Sequence, residues 1–301
     1  MSQSNAPELT VVVASPYSVY DIKQFLEALH NQNQGGKVEV IVAECCLDGS
    51  MEEVITDYPD VSFIRYPERT PLPVLWGDGI ARSKGRIIAI TDSTCLVGPD
   101  WVAAIIEAHR TPHPVIGGAV EATGIKRPLD WAVYFCEYGQ FMRPLRSGAA
   151  SELPGNNISF KRPALETGRE FVRNGFWKTH WCRKLQAEGI ELVSAPSVVV
   201  SYRKSYQLVP FLIRRYHHGR CFAGMRVAQA SLSTRVSYAA GCGLLPFLFL
   251  ARVIGTIFPK KRYLKEFALS LPYIMLAVVS WSFGEFRGYL AGPGKSCAYI
   301  Y

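Results

Sequence analysis

Over the first 200 residues, short β-branched runs alternate with longer stretches of helical periodicity. Apolar runs at 9–14, 38–43, 61–65, 86–91 and 115–120 predict strands. Between them, 20–31 (apolar at Ile22, Phe25, Leu26 and Leu29) and 101–109 predict helices. Gly35-Gly36, Gly49 and Gly117-Gly118 punctuate the strand ends. The alternation predicts an α/β architecture: an open, mostly parallel sheet with helices on both faces, whose ligands gather at the carboxyl ends of the strands. Beyond about residue 125 the pattern loosens. It predicts helices, a short strand at 158–161, a helix over 176–188, and two strands at 191–193 and 197–202.

The last hundred residues follow a different pattern. Sixteen uncharged residues separate Arg235 from Arg252, and eighteen separate Glu266 from Glu285, with Pro246 and Pro272 inside them. Both runs fall at or below the ~18–20 residues needed to cross a bilayer. If they crossed as a hairpin, the loop carrying Arg252, Lys260, Lys261, Arg262 and Lys265 would lie outside, against the positive-inside tendency. Helices lying in the cytosolic leaflet are therefore the favoured reading, with a two-span hairpin and a soluble helical cap as alternatives.

Charge sharpens this division. The chain carries a formal +8, yet residues 1–200 hold 19 Lys+Arg against 23 Asp+Glu and residues 201–301 hold 14 against 2, so the tail alone is +12. A basic tail that is also strongly apolar suits an anionic lipid surface, and neither a helix-turn-helix nor an aromatic-studded polar sheet is present to suggest nucleic acid. The eight cysteines show no CxxC pair or metal spacing and read as buried small residues in a reducing compartment. The polar start MSQSNAPELT is not a signal peptide, which places the catalytic region in the cytosol.

Candidate chemistry collects at the strand ends. VVVASPYS leaves Ser15, Pro16 and Tyr17 at the mouth of the sheet, where a turn can hold a nucleobase. VIVAECCLDGS puts Glu44 at a strand tip, where a carboxylate can accept the imide N–H of uracil. Glu44 follows four buried strand residues and so needs a partner. Asp48 reads as the N-cap of the next helix or as a nucleotide ligand. In GDGIARSKGRIIAITDSTCLVGPDWV, an apolar central strand delivers Asp92-Ser93-Thr94 at its tip.

Together these stretches resemble family 2 glycosyltransferases of the GT-A fold, a Rossmann-like architecture, from about Leu9 to Arg226. WSFGEFRGYLAGPGK is similar to the tail of a bacterial membrane-associated subgroup. The resemblance implies a glycosyltransferase domain over 1–230 and a membrane-associated helical tail over 231–301. It implies a nucleotide-sugar site made by Ser15, Tyr17, Glu44, Asp48, Arg82, Asp92, Ser93 and Thr94. An acid-x-acid motif in that family holds a divalent metal, magnesium or manganese, on the donor diphosphate. Here the second acid is Thr94, so Asp92, with His218, would hold a metal more weakly.

GGAVEATG and LPGNNISFKRPAL resemble the acceptor side, which nominates Glu121, Asn156 and Asn157; an Asn156-Asn157 pair that merely satisfies a turn is the alternative. The family's base is the aspartate of a Glu-Asp pair, but GFWKTHWCRKLQAEG places Trp177-Lys178 there. His180, or Glu170 or Glu166 on a shifted loop, are the substitutes. FLIRRYHHGRCFAGMR resembles a late helix near the diphosphate, implying roles for Arg215, His217, His218 and Arg220; contact with lipid headgroups is the other reading. Glu285 is expected to pair with a tail arginine.

The expected activity is inverting transfer of a sugar from a nucleoside diphosphate donor, a UDP-sugar, to a lipid-linked saccharide or polyprenyl phosphate at the cytoplasmic face of the inner membrane. Homo-oligomerisation is left open. A degenerate member that binds a sugar nucleotide or a partner without turning it over is the rival. A sugar nucleotidyltransferase is disfavoured, because SPYS follows the first strand in place of a glycine-rich phosphate loop.

Overall fold

The computed structural model describes residues 6–16, 18–30, 32, 38–46, 50–166 and 175–300. The chain divides into two compact units, one built from 1–123 and 141–203, the other from 124–140 and 204–301. The sequence suggested a boundary near 230. The structure instead groups the helix at 208–226 with the tail, together with a helix borrowed from 128–137.

The first unit holds the whole sheet. Its strands are β1 (Leu9–Ser15), β2 (Val38–Glu44), β3 (Val61–Arg65), β4 (Ile87–Asp92), β5 (Cys95–Val97), β6 (Val115–Ala122), β7 (Gly148–Ala149), β8 (Ile158–Lys161) and β9 (Leu192–Tyr202). Their order is β3-β2-β1-β4-β8-β6-β9-β5, with β7 added beside β9. β3, β2, β1 and β4 run parallel, β8 is antiparallel to both neighbours, and β6 and β9 are parallel to each other. β1 and β4 are buried along their whole length, which is why they read as unbroken apolar runs.

Helices α1 (Val19–His30), α2 (Met51–Asp57), α3 (Leu72–Arg82), α4 (Trp101–Ala108), the short α6 (Pro163–Glu166) and α7 (Lys178–Ala187) complete this unit. α1 buries Ile22, Phe25, Leu26 and Leu29, the stripe expected from its periodicity.

The two strands expected at 191–193 and 197–202 are one strand. β9 pairs with β6 over Leu192–Ser194 and again over Val199–Tyr202, the register shifting between Gly117 and Ala119. The side-chain amide of Asn157 donates to Ala119 O at 2.8 Å and to Val198 O at 3.0 Å across this irregularity. Only glycine fits at 118, since a Cβ there would lie 2.0 Å from Val198 O. Pro196, which has no N–H to give a ladder, marks the same stretch and accounts for the apparent break in sequence.

The second unit is helical: α5 (Pro128–Glu137), α8 (Leu208–Arg226), α9 (Leu232–Gly241), α10 (Leu245–Ile257) and α11 (Leu264–Ala291). α8 and α11 pack through glycine. A Cβ on Gly219 would meet Trp281 O at 2.3 Å, one on Gly284 would meet Tyr216 O at 2.1 Å, and one on Gly288 would meet Arg220 O at 2.4 Å. Small residues at such spacing let two helix backbones touch.

The uncharged runs undercount the helices. Helical structure extends through Arg235 and Arg252, so Leu232–Lys260 and Leu264–Ala291 are 29 and 28 residues long. At ~1.5 Å per residue each exceeds the ~30 Å of a bilayer core. Only 11% of the first is buried inside the protein. Leu244, Phe247, Leu248 and Phe258 are 60–67% exposed. Left-handed residues at Lys261 and Tyr263 make the turn between the two helices.

Among the described residues, Glu285 makes no direct salt bridge with an arginine; Arg226 lies within electrostatic reach of it and donates to the Tyr289 hydroxyl at 3.3 Å. Trp281 donates its indole N–H to Glu285 at 2.5 Å and the Tyr289 hydroxyl donates at 2.8 Å, each four residues away on the same helical face. The uniformly reduced cysteine reading is also overturned. Cys221 on α8 and Cys297 are joined in a disulfide across a separation of 76 residues.

Candidate active site

Parallel pairing lines up four strand tips. Ser15 is in register with Glu44, Glu44 with Arg65, and Ala14 with Asp92. The carboxyl ends of β3, β2, β1 and β4 therefore present Arg65, Glu44, Ser15 and Asp92 side by side.

Each is held. Glu44, 1% exposed, accepts the Cys46 backbone N–H at 2.7 Å on one oxygen and the Arg65 Nε–H at 2.8 Å on the other. A carboxylate oxygen has two lone pairs, so these bonds orient Glu44 without exhausting it. Arg65 is half-exposed and also reaches Glu52 at 3.5 Å. The sequence reading named Glu44 and missed Arg65. Its signal was the basic residue closing the third strand, legible once strand order is known.

Ser15 Oγ lies 2.7 Å from Ser93 Oγ, tying the β1 and β4 tips together. Asp92 Oδ1 accepts the Thr94 N–H at 2.9 Å and also the Thr94 hydroxyl. The residue in place of the second acid therefore donates to the first.

Behind this row, α3 is fixed by Trp76, whose indole N–H donates to Thr91 O at 2.7 Å. One turn of helix carries Asp78 and Arg82. Asp78 accepts the Tyr66 hydroxyl, and Arg82 is exposed beside this pair. Burial and Asp78 push the Tyr66 hydroxyl up to about 12, so it stays a donor.

On the β6 side, Glu121 accepts the backbone N–H and the Nε–H of Arg143, at 3.1 and 2.9 Å. The adjacent asparagines differ. Asn157 spends its side chain on structure, accepting from Trp101 Nε1 at 2.9 Å and clasping β6 to β9. Asn156 is buried, donates to Cys95 Sγ at 3.0 Å, and its Oδ1 has no hydrogen-bond partner. Burial raises the Cys95 thiol well above its ordinary value, so it is not a thiolate.

His180 is half-buried on α7. Burial first, and Arg183 second, lower its pKa, so it is neutral near pH 7. Lys178, two residues earlier, pairs with Glu152 at 3.3 Å. Tyr17, Asp48 and Glu170 lie outside the described residues.

The four basic residues expected at the diphosphate belong to the helical unit. Arg215 lies 4.3 Å over the Trp281 ring and His218 lies 4.9 Å from it. His217 stacks on Tyr299 at 4.4 Å, and its Nδ1 is 3.0 Å from Ser296 Oγ. Arg220 donates to Gly292 O at 3.2 Å.

Among the described residues, no group of three or more His, Cys, Asp or Glu is placed to hold a metal. Besides Glu44, which is braced by Arg65, the described strand tips offer the carboxylate of Asp92 amid the hydroxyls of Ser15, Ser93 and Thr94. That set suits magnesium or manganese only where substrate phosphates complete the shell, an arrangement usual for magnesium.

Residues 18–168, half the chain, match the model of glycosyl transferase family 2. The chain belongs to that family. It is a family 2 glycosyltransferase, and its sheet is of the GT-A type. The fold is similar to that of the mannosyltransferase PcManGT from Pyrobaculum calidifontis, solved in complex with GDP-Man and Mn2+, with a TM-score of 0.58. The two share 19% identity over 96% of this chain and 88% of the other, a likeness of fold alone. No curated protein matches the chain.

Proposed function

We propose that this glycosyltransferase moves a sugar from a nucleoside diphosphate donor, a UDP-sugar, to a membrane-associated acceptor with inversion at the anomeric carbon. The observation that carries the donor half is the row Arg65, Glu44, Ser15, Asp92 at the ends of four parallel strands. Glu44, braced by Arg65, accepts the imide N–H of the base. Ser15 and Ser93 offer hydroxyls to the ribose and diphosphate, and Asp92 sits where the donor's phosphates carry a divalent metal. When bound, that metal would neutralise the leaving diphosphate. Arg82 remains a proposed phosphate ligand of this row, by charge; Arg215, His217, His218 and Arg220, within the helical unit by itself, remain a basic cluster proposed for phosphate by charge. Glu121 and Asn156 are the proposed acceptor contacts; inversion follows from a single attack opposite the leaving group.

The helical unit supports the membrane half. Exposed apolar side chains along α10 and α11 flank the basic turn at Lys260, Lys261, Arg262 and Lys265. Basic residues near anionic headgroups contribute about 1 kcal/mol each. We place this unit in the cytosolic leaflet with its turn on the cytosolic side.

A thermal-shift screen tests the donor. UDP-sugars should raise the melting temperature, more with manganese than without. The GDP-Man bound by PcManGT makes GDP-sugars the second arm. A shift with GDP-sugars alone would reassign the base, and no shift with any sugar nucleotide would defeat the donor site. For the membrane side, a Lys261→Cys variant without other cysteines should resist a membrane-impermeant thiol reagent in intact cells. Labelling from outside would establish a spanning hairpin.

A further inference from the structure

The end of the chain folds back onto α8. α11 ends at Ala291, and Gly292 (φ 71°) and Gly294 (φ 51°), on either side of Pro293, take left-handed conformations that a side chain would strain. The reversed segment, 292–300, lies along one stripe of α8. His217, Arg220, Cys221 and Gly224 are spaced i, i+3, i+4 and i+7, which puts all four within an arc of about 100°. Each meets the returning segment. Arg220 Nε donates to Gly292 O at 3.2 Å, and a Cβ on Gly294 would lie 2.7 Å from an Arg220 guanidinium nitrogen. His217 stacks on Tyr299 with centroids 4.4 Å apart, and its Nδ1 is 3.0 Å from Ser296 Oγ. Gly224 leaves room for Pro293, which a Cβ would strike. Cys221, in the middle of the stripe, is joined to Cys297.

The disulfide is a covalent tie in an otherwise non-covalent contact, and its two sulfurs differ in access. Cys221 is 1% exposed. Cys297 is half-buried, in a short helix over Ser296–Tyr299 whose Ala298 and Tyr299 are exposed. A thiolate from solvent therefore attacks Cys297 Sγ, and Cys221 is the leaving group. Once reduced, the segment is a chain end held to α8 by the Arg220 and Ser296 hydrogen bonds and the Tyr299 ring. Chain ends held in this way open locally at low free energy. Opening returns a guanidinium fork and an imidazole to solvent on a face notched by Gly224, a donor set that suits phosphate oxygens.

We propose that residues 292–300 are a redox-locked strap: while Cys221 is joined to Cys297 the strap holds His217 and Arg220, and reduction by a dithiol releases both side chains to a phosphate-type anion. This rests on the reading of the basic cluster of α8 as a phosphate site and adds its control. The dithiol supplies both electrons. Its first thiolate bonds to Cys297 Sγ, the Sγ–Sγ bond breaks, and the electron pair leaves on Cys221. Its second thiolate then bonds to the reductant sulfur of the mixed disulfide, and Cys297 leaves in turn. The two protons lost by the dithiol end on the two cysteines, and the reductant departs as its own disulfide.

The test uses the full chain in nanodiscs of neutral lipid, oxidised or treated with dithiothreitol. Two soluble probes are titrated, inorganic pyrophosphate and glycerophosphoglycerol, the headgroup of an anionic lipid. Reduction should speed amide exchange over 294–299 and tighten pyrophosphate binding about fivefold or more. The same gain with glycerophosphoglycerol instead identifies a lipid headgroup as the source of the phosphate and supports the strap equally. Cys297→Ser should bind as the reduced chain does and ignore dithiothreitol, which excludes the six free cysteines as the origin of the effect. Arg220→Gln should lose the gain. If Cys297→Ser melts early, Cys297→Ala carries the same comparison. A disulfide that dithiothreitol leaves intact in the folded chain overturns the inference, and so does reduction that leaves 294–299 protected. Equal, Arg220-dependent binding before and after reduction defeats the strap and leaves the phosphate reading standing. Opening with no Arg220-dependent binding of either probe defeats both.

Discussion

The two units invert each other's surfaces. The sheet unit buries polar groups: Ser15, Glu44, Asp92, Ser93, Thr94, Asn156 and Asn157 are all within its buried set, gathered towards the strand tips. The helical unit exposes apolar ones, with Leu244, Phe247 and Phe258 more than 60% accessible. Burying a polar group is costly unless it is bonded, and most of those in the sheet unit are. Their concentration at one end is what a substrate site requires. Exposed apolar side chains on this scale are costly in water and mark a surface suited to an apolar partner or to lipid.

The largest expected effect sharpens the polar half of this comparison. Asp92→Ala should lower transfer by on the order of a hundredfold or more, measured as nucleotide release, because it removes the carboxylate nearest the proposed diphosphate. The variant should still melt cooperatively, since the buried strand leading to it is untouched. Full turnover in a well-folded Asp92→Ala protein would break the assignment.

Next comes the helical half. Gly284→Val would drive a side chain into Tyr216 O, and overpacking of this kind costs about 1–3 kcal/mol or more. Gly255→Val, which meets nothing within 4 Å, is the control. Equal melting temperatures for the two variants would show that the glycine contacts do not hold the pair.

A smaller effect separates the units by pH. His109, buried in the sheet unit with Nε2 at 2.8 Å from Ser159 Oγ, is held down to about 4, by burial first and Lys161 second. The unfolded chain, with an ordinary value near 6.5, takes up its proton first as pH falls. Stability from this group is therefore complete above about pH 6.5 and lost towards pH 4. Between pH 7 and 5 the loss should be about 2 kcal/mol, seen as a falling melting temperature that His109→Gln largely removes. An identical fall in the variant would place the sensitivity elsewhere.

The smallest expected effect is at His180. If the acceptor is a phosphate, His180→Ala should change turnover less than about twofold, whereas removing a general base costs about a hundredfold or more. A loss of that size would restore His180 as the base and count against an anionic acceptor.

Much of the sheet unit was legible because its strands advertise themselves. Runs such as VVVA and IIAI are apolar on both faces, and the turn residues between them fix where the tips fall. Glu44 and Asp92 could be named from those tips alone. Arg65 was not, because it matters only once β3 is known to lie beside β2. The division of labour between Asn156 and Asn157 was equally hidden, since it depends on a register shift between β6 and β9. In the helical unit, charge bias and apolar length were visible but partners were not. Trp281 and Tyr289 around Glu285, and Cys297 on Cys221, are choices made by packing over distances that local pattern does not encode. The uncharged runs misjudged helix length because Arg235 and Arg252 interrupt the composition without interrupting the helix.

The glycine contacts of α8 and α11 have a consequence for how the protein is handled by the cell. Where Gly219, Gly284 and Gly288 bring peptide groups together, the attraction is dispersion between touching backbones, and little of it depends on expelling water. A joint made this way is indifferent to its medium. The helix pair can hold one geometry whether water, detergent or lipid surrounds it. The rest of the unit's surface is then free to exchange one solvent for another around a fixed spine.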